Sequence, residues 1–306
     1  MFLTHYTTPD AIKYALKHFT AIPDFNLPAS AALVLSLGKC AEVVEIRLFS
    51  FKCASTGFEC FVALRKFIPI PSRTFLVFGA AANAKFDDAT ITQAFDELVA
   101  EIPEFFVDGP ITISSEVLTP QISAYISKRF PQLKVTPYPT QMYYMTKSQQ
   151  ESLIEKINTH GLTLPEGYKF DNVDLEKDLN GILTTWRHVA LGDQEYLYAK
   201  FAELPYSLIR HIPSGNAVSY EHIDVAGLLT HLFTLPEHRR KGLGTAVEID
   251  LCRKCIETGI NPFKYVELFN VKVLETSDKT DYWSRMNDET GAAIVTTFLK
   301  MTKKED

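Results

Sequence analysis

The chain has 306 residues, 46% of them hydrophobic and 22% charged, which excludes a disordered or collagen-like protein and leaves room for two modest domains or one large one. Acidic side chains outnumber basic ones by 37 to 31, for a formal net charge of −6, so attraction to nucleic acid or anionic lipid is not favoured and any basic cluster has local meaning. No apolar run approaches the roughly 18 residues needed to span a bilayer, and the five cysteines fit reduced thiols better than a disulfide framework.

The first 25 residues argue against a secretory signal and, lacking arginine, weaken a mitochondrial transit reading, while an uncleaved address stays open. The first half reads as strand-rich material followed by alternating helices and strands. β-Branched and aromatic residues over 43–51 and 59–65, around the turn cluster Ala54-Ser55-Thr56-Gly57, predict a hairpin, and 74–78 a short apolar strand. Asp87 and Asp88 suit the start of a helix running to about Phe106, with Ile91, Phe95, Leu98 and Ile102 as its buried stripe. A strand follows Pro110, and Thr119 opens a second helix with Pro120 in its first turn. Residues 136–146 read as an aromatic strand; Tyr138, Tyr143 and Tyr144 suit a core better than base stacking, because no basic stripe accompanies them.

The polar run 147–150, Gly161 and Pro165 place a boundary within 146–167, bridged by a small helix over 153–157. The second half then predicts a strand (168–172), two helices (175–187 and 193–204), three strands (207–212, 217–223 and 228–234), a long helix, a strand (265–271), a short helix (280–286) and a last strand (292–299). Three consecutive strands before a helix mark a mixed, partly antiparallel sheet.

The stretch that carries chemistry runs from Leu232 to Ala246. An apolar strand meets Pro236, then the basic turn Arg239-Arg240-Lys241, then Gly242 and Gly244, then a helix with Leu243, Val247, Leu251 and Cys255 four residues apart. The glycines let backbone approach an anion, and the N–H groups at the helix start, Leu243 and Thr245 among them, point at it with roughly half a positive charge. Three cations surround the same spot. Such a turn can cradle a diphosphate. The glycine spacing is wrong for a P-loop, and a dinucleotide fingerprint would need a third glycine and a parallel βαβ context.

Arg239-x-x-Gly242-x-Gly244, directly after a strand ending in Thr234-Leu235-Pro236, resembles the acetyl-CoA-binding motif of the GNAT acyltransferase superfamily. The run Thr234-Leu235-Pro236-Glu237-His238-Arg239, with the strand Tyr220-Glu221-His222-Ile223-Asp224 before it, looks more narrowly like the glycine N-acyltransferase-like family. The resemblance implies an α/β chain: a GNAT fold at 147–306, with a splayed, partly antiparallel sheet flanked by helices, after a degenerate GNAT-like domain without the CoA motif at 1–146. It implies acyl transfer from acetyl-CoA or another acyl-CoA to a small amine, such as glycine or another amino acid, by direct attack, with neither nucleic acid nor membrane as partner. It implies an intracellular setting, cytoplasmic or, by the narrower family, mitochondrial.

In such folds Phe233, Thr234 and Leu235 would offer backbone to the pantetheine arm and the oxyanion, Arg239 to Thr245 would hold the diphosphate, and Asn270 would contact the pantetheine. The strand glutamate that serves several members as base falls on Leu228, which cannot take a proton. His222, Glu221 and Asp224 on the preceding strand are candidates; strand alternation turns His231 away, and a water-mediated base or none at all fits equally. For the leaving thiolate, spacing admits Tyr282 or Trp283, of which Tyr282 alone could donate usefully. Cys252-x-x-Cys255 has no second pair at metal-ligand spacing and reads as buried thiols. An acyl-CoA-binding protein with weak turnover, or a protein N-acetyltransferase, is the alternative.

Overall fold

In the computed structural model, which describes residues 2–18, 22–70, 74–106, 111–187 and 193–304, the chain forms two compact units. One comprises Met1–Tyr143, Val266–Asp278 and Arg285–Asp306; the other comprises Tyr144–Tyr265 and Lys279–Ser284.

The first unit opens with β1 (Thr4–Tyr6), α1 (Pro9–His18) and α2 (Pro23–Leu37). These two helices are absent from the sequence expectation, although Pro23 at a first helical position was a usable signal. The expected hairpin follows as β2 (Val44–Lys52) and β3 (Glu59–Phe67), then β4 (Phe75–Ala80). Helix α3 (Asp88–Glu101) ends earlier than expected, Pro103–Phe106 forming a 3-10 turn, and its stripe packs inward, with Phe95 stacked on Phe78 at 5.1 Å. Pro110 lies outside the described residues; β5 (Ile111–Ser115), α4 (Thr119–Arg129) and β6 (Leu133–Tyr144) follow. Tyr143 is core, its hydroxyl donating to Asp278 Oδ1 at 2.9 Å, and Tyr138 and Tyr144 are half-buried.

The second unit starts with α5 (Lys147–His160), longer than the expected small helix because Thr146 and Gln149 form a reciprocal capping box. After β7 (Tyr168–Phe170) come α6 (Leu179–Thr184), α7 (Asp193–Glu203), β8 (Tyr206–His211), β9 (Asn216–Ile223), β10 (Leu229–Thr234), α8 (Leu243–Glu257) and β11 (Phe263–Glu267). Helix α6 is half as long as expected. Asp174 accepts the N–H groups of Glu176 and Lys177 in a turn before it, and the Thr184 and Thr185 hydroxyls donate back to Gly181 and Ile182 carbonyls at its end.

Two expectations near the C-terminus are corrected. The strand expected at 265–271 stops at Glu267, and α9 (Val271–Lys279) takes over; Val271, the expected strand end, is exposed on this helix, as is Val273. No helix covers 280–286. Tyr282 sits in a turn ahead of β12 (Ser284–Arg285). The last strand, β13 (Val295–Lys303), pairs antiparallel with both β5 and β6, and residues 285–306 lie in the first unit.

Each unit repeats one arrangement: strand, two helices, three antiparallel strands, helix, then a strand parallel to the third of the three. β1–β2–β3–β4 are antiparallel with β5 parallel to β4, and β7–β8–β9–β10 are antiparallel with β11 parallel to β10. In the second unit, Leu243 and Val247 of α8 cover one sheet face against Ile209 and Val218. Leu179, Ile182, Leu197 and Phe201 of α6 and α7 cover the other against Leu208 and Tyr220. Arg210 of β8 fixes the start of α6 through a bidentate pair with Asp178 (3.1 and 2.7 Å) and a bond to Asp171 at 2.7 Å.

Removing one partner of such a buried pair strands the other charge. Asp178→Ala is therefore expected to cost about 3–5 kcal/mol in urea unfolding; a loss under about 1 kcal/mol would show the pair to be as weak as a surface bridge.

Candidate functional site

Strand β10 is irregular where it matters. Thr230 pairs with His222 and Phe233 with Tyr220, so two residues, His231 and Leu232, stand opposite the single residue Glu221. This bulge places Thr230 and Phe233 on one face, whereas strict alternation separates them. His231 lies at φ 60°, a left-handed backbone that non-glycine residues rarely adopt, and its side chain turns onto the face of Tyr220 and His222. Beside the bulge, β10 parts from β11: their register holds a single pair, Leu229 with Lys264.

The parting leaves an open edge. Leu235 N–H donates to Val218 O at 2.9 Å, so ladder alternation turns Phe233 N–H toward β9 as well and Thr234 toward the β11 side. Of the three residues expected to offer backbone, Thr234 is thus the one whose N–H faces the gap. Its carbonyl accepts Arg239 Nε at 2.8 Å, and the guanidinium lies over the Phe233 ring.

After β10, Pro236–His238 makes a 3-10 turn, Arg240 takes φ 59°, and Gly242 caps α8 at φ 77° with no side-chain bond. The first cap bond is Ala246 N–H to Gly242 O at 3.0 Å; among the described residues nothing accepts the N–H groups of Leu243, Gly244 and Thr245. A Cβ on Gly244 would come within 3.3 Å of Thr234 Oγ1, itself bonded to Ser219 Oγ at 2.8 Å, so Gly244 lets α8 approach the strand end closely. Arg239, Arg240 and Lys241 have no carboxylate partner among the described residues; Lys241 Nζ donates instead to Tyr168 Oη at 2.8 Å.

The corresponding helix start in the first unit is closed. Asp87 caps α3 by accepting Thr90 N–H at 2.7 Å, and Asp88 adds a second acidic side chain in the first turn. An anion is attracted to one of these helix starts and repelled by the other.

Between β9, α8 and β11 lies a buried polar cluster. Lys264 Nζ pairs with Glu248 Oε1 at 2.5 Å and sits 4.6 Å from the Trp283 ring centroid, and Tyr282 Oη donates to Glu248 Oε2 at 3.0 Å. Glu221 is 2% exposed, and its Oε2 has no hydrogen-bond partner among the described residues. Burial first, then the Glu248 charge, push its carboxyl well above the usual range against the pull of Lys264. Burial and Glu248 also raise the Tyr282 phenol above its ordinary value, which makes it a poor proton source for a thiolate whose conjugate acid lies near 8.5. The sequence reading missed Glu248 and Lys264. A carboxylate at position 248, next to Val247 and three before Leu251 on the inward stripe of a helix, was the available signal.

On the opposite face, Thr185 Oγ1 donates to Ile182 O, so it accepts from Tyr220 Oη (2.7 Å) and from His231 Nε2 (2.9 Å). That assignment leaves His231 Nδ1 without a hydrogen-bond partner among the described residues, and the His231 and Trp186 ring centroids lie 4.6 Å apart. His222 donates Nδ1–H to Ile223 O at 3.0 Å and keeps a bare Nε2. Burial and then Lys200 hold both imidazoles neutral, His231 down to about 3 and His222 well below its ordinary value. Asp224 caps the β9–β10 turn through Ala226 N–H at 2.7 Å, and Leu228 is buried in that turn. Asn270, in the first unit, starts α9 by accepting Val273 and Leu274 N–H groups. Cys252 and Cys255 are fully buried with raised thiols, and no metal-holding group of three His, Cys, Asp or Glu occurs among the described residues. No helix among them is long and apolar enough to cross a membrane.

Residues 215–279 match the family model described as FR47-like protein. A solved Drosophila protein is similar over 98% of both chains, with a TM-score of 0.69 at 12% identity, which establishes the shared fold alone. A GCN5-related N-acetyltransferase from Sphaerobacter thermophilus covers 99% of this chain and 97% of its own at 9% identity and TM-score 0.47. Another from Kribbella flavida covers 90% and 95% at 13% identity and TM-score 0.44. No curated protein matches the chain.

The raised carboxyl of Glu221 fixes a sign. Its protonated form contributes stability in full below the unfolded value near 4.5, and that contribution is lost as pH rises through the folded value. Glu221→Gln is therefore expected to gain on the wild type as pH rises from about 5 to about 8, read as the difference in urea midpoints; a difference independent of pH would show that Glu221 is ionised throughout.

Proposed function

We propose that the second unit is an acyl-CoA-dependent N-acyltransferase acting on a small amine, such as glycine or another amino acid. The observation that carries this reading is the uncapped start of α8. Three N–H groups and three cations, without acceptor or carboxylate partners among the described residues, and a left-handed Gly242 stand next to the open edge of β10. A diphosphate supplies the missing acceptors and charge. The edge at Thr234 then lies within a strand's width of the turn, where an extended pantetheine arm can pair with backbone.

The transfer forms a C–N bond and breaks a C–S bond. The amine nitrogen attacks the thioester carbonyl, its proton is released, and the thiolate departs with a proton. Thr234 N–H is our candidate donor to the oxyanion. Direct attack fits the burial of all five cysteines, which leaves no exposed thiol to carry the acyl group. His231 and His222 each keep one bare, neutral nitrogen, and paired acceptors suit a ligand that brings N–H donors, as an amine does. We assign Tyr282 to holding Glu248 in place rather than to protonating the thiolate. Leu228 favours a second reading, acyl-CoA binding with weak turnover, because no carboxylate occupies that position.

Free-thiol titration distinguishes the two. Amino acids added to the chain with acyl-CoA should release CoA thiol above the hydrolysis rate, against a low background from the buried cysteines; saturable CoA binding without release would leave the binding reading. Gly244→Val should weaken CoA binding at least about tenfold, or about 1.4 kcal/mol, while the ligand-free chain still melts cooperatively. Unchanged affinity would remove the diphosphate turn from the argument.

Tyr282→Phe tests the remaining assignment. Loss of a hydrogen bond to a buried charge should cost about 1.5–3 kcal/mol of stability, with kcat lowered no more than about threefold. A hundredfold fall in kcat, about 2.7 kcal/mol in barrier, would restore the phenol as the acid.

A further inference from the structure

Beside the diphosphate turn, side chains from β7, β8 and the 3-10 turn converge on Lys241, which belongs to the turn itself. The rings of Tyr168 of β7, His211 at the end of β8, and His238 in the 3-10 turn meet in tilted and edge-on contacts, with centroids 5.2 Å (Tyr168–His211), 5.7 Å (Tyr168–His238) and 4.9 Å (His211–His238) apart. Lys241 Nζ lies 5.3 Å from the Tyr168 ring centroid and donates to its hydroxyl.

The hydrogen bonds fix the protons. Lys241 can only donate, so Tyr168 Oη accepts from it and gives its own hydrogen to His238 Nδ1 at 2.8 Å. His238 is thereby held as the Nε2–H tautomer, and nothing among the described residues accepts that N–H. His211 anchors Nδ1 on Ser214 Oγ at 2.9 Å, and no described residue bonds its Nε2. The network therefore leaves the His238 Nε2–H and the His211 Nε2 without a hydrogen-bond partner among the described residues. Among the described residues no carboxylate forms an ion pair with Lys241 or either imidazole, although the chain as a whole is acidic.

We propose that Tyr168, His211, His238 and Lys241 form an anion subsite that takes the ribose phosphate of the acyl-CoA, next to the turn that holds its diphosphate. The proposal rests on the acyl-CoA reading and makes the donor's terminal phosphomonoester a point of recognition. Lys241 links the two sites, because it immediately precedes Gly242 at the diphosphate turn and reaches back to Tyr168.

The cluster also couples binding to protons. His238 is held below its ordinary value by partial burial, then by His211, with Lys241 acting in the same direction and Glu237 opposing. Tyr168 is the remaining group facing it. A dianion placed against His238 reverses that balance, so binding takes up a proton there, and affinity for the phosphorylated ligand rises as pH falls. A ligand lacking the phosphate gains nothing from the same change.

Isothermal titration of the full chain with CoA and with dephospho-CoA tests this. The wild type should bind CoA about tenfold tighter than dephospho-CoA near pH 6, with the ratio shrinking toward about pH 8. His238→Gln and His211→Gln should each bring the ratio toward unity without changing dephospho-CoA affinity. Equal affinities at both pH values, or a ratio that survives His238→Gln, would overturn the subsite and leave the diphosphate turn standing. Failure of both ligands to bind would overturn the acyl-CoA reading itself.

Discussion

The first turn of an α-helix carries N–H groups that the helix cannot satisfy, and the two halves of this chain meet that constraint in opposite ways. Asp87 closes the start of α3 with a carboxylate, and Asp88 adds to the same charge. Gly242 leaves the start of α8 open, in a backbone conformation that a Cβ would strain, and basic residues stand in front of it. The two units share their order of strands and helices, so the difference is chemical rather than topological. An Asp at the N-cap stabilises a helix by about 1 kcal/mol. The second unit does without that contribution and keeps an anion-binding surface in its place.

The bulge in β10 does for the strand what Gly242 does for the helix. One extra residue opposite Glu221 shifts the side-chain alternation, separates β10 from β11 after Leu229, and turns the N–H of Thr234 toward the gap. An unpaired inner strand edge exposes backbone groups that ordinarily demand partners, and His231 is held at positive φ at the same point. Both irregularities lie within a dozen residues of chain. Regular secondary structure around them, packed on both faces by α8 and by α6 with α7, is what allows the defects to persist.

Much of this was legible in the residues. The three-strand run before a helix gave the mixed sheet, Asp87 gave a helix start, and Pro236 with Gly242 and Gly244 gave the turn. Legibility failed where tertiary context overrode local preference. Val271 and Val273 favour strands by propensity yet sit exposed on α9, and the 280–286 segment has helical spacing but runs as a turn and a two-residue strand. The extra residue in β10 has no sequence mark, since His231 is not a residue type that announces positive φ, and without it the face of every later residue on that strand is misassigned. The return of β13 to pair with β5 and β6 is a long-range choice that no local pattern encodes.

The buried cluster bears on which side chains can move protons. Glu248 is satisfied from two directions, by Lys264 and by Tyr282, whereas Glu221 has an oxygen without a partner among the described residues. Two ionised carboxylates with one ammonium between them would leave net negative charge in a low-dielectric interior, so the system settles with Glu221 neutral and Glu248 paired. The phenol is then bound to the carboxylate that most needs it. A group held so firmly resists giving up its proton, and the same hydrogen bond that fixes Tyr282 in space disqualifies it as an acid. Across the sheet, the His222 and His231 imidazoles are kept neutral by burial and by Lys200, which limits their capacity to store a proton but preserves their lone pairs. Chemistry at the β10 gap therefore depends more on oriented N–H groups and bare acceptors than on a strong acid or base, and an amine that arrives already deprotonated asks for little else.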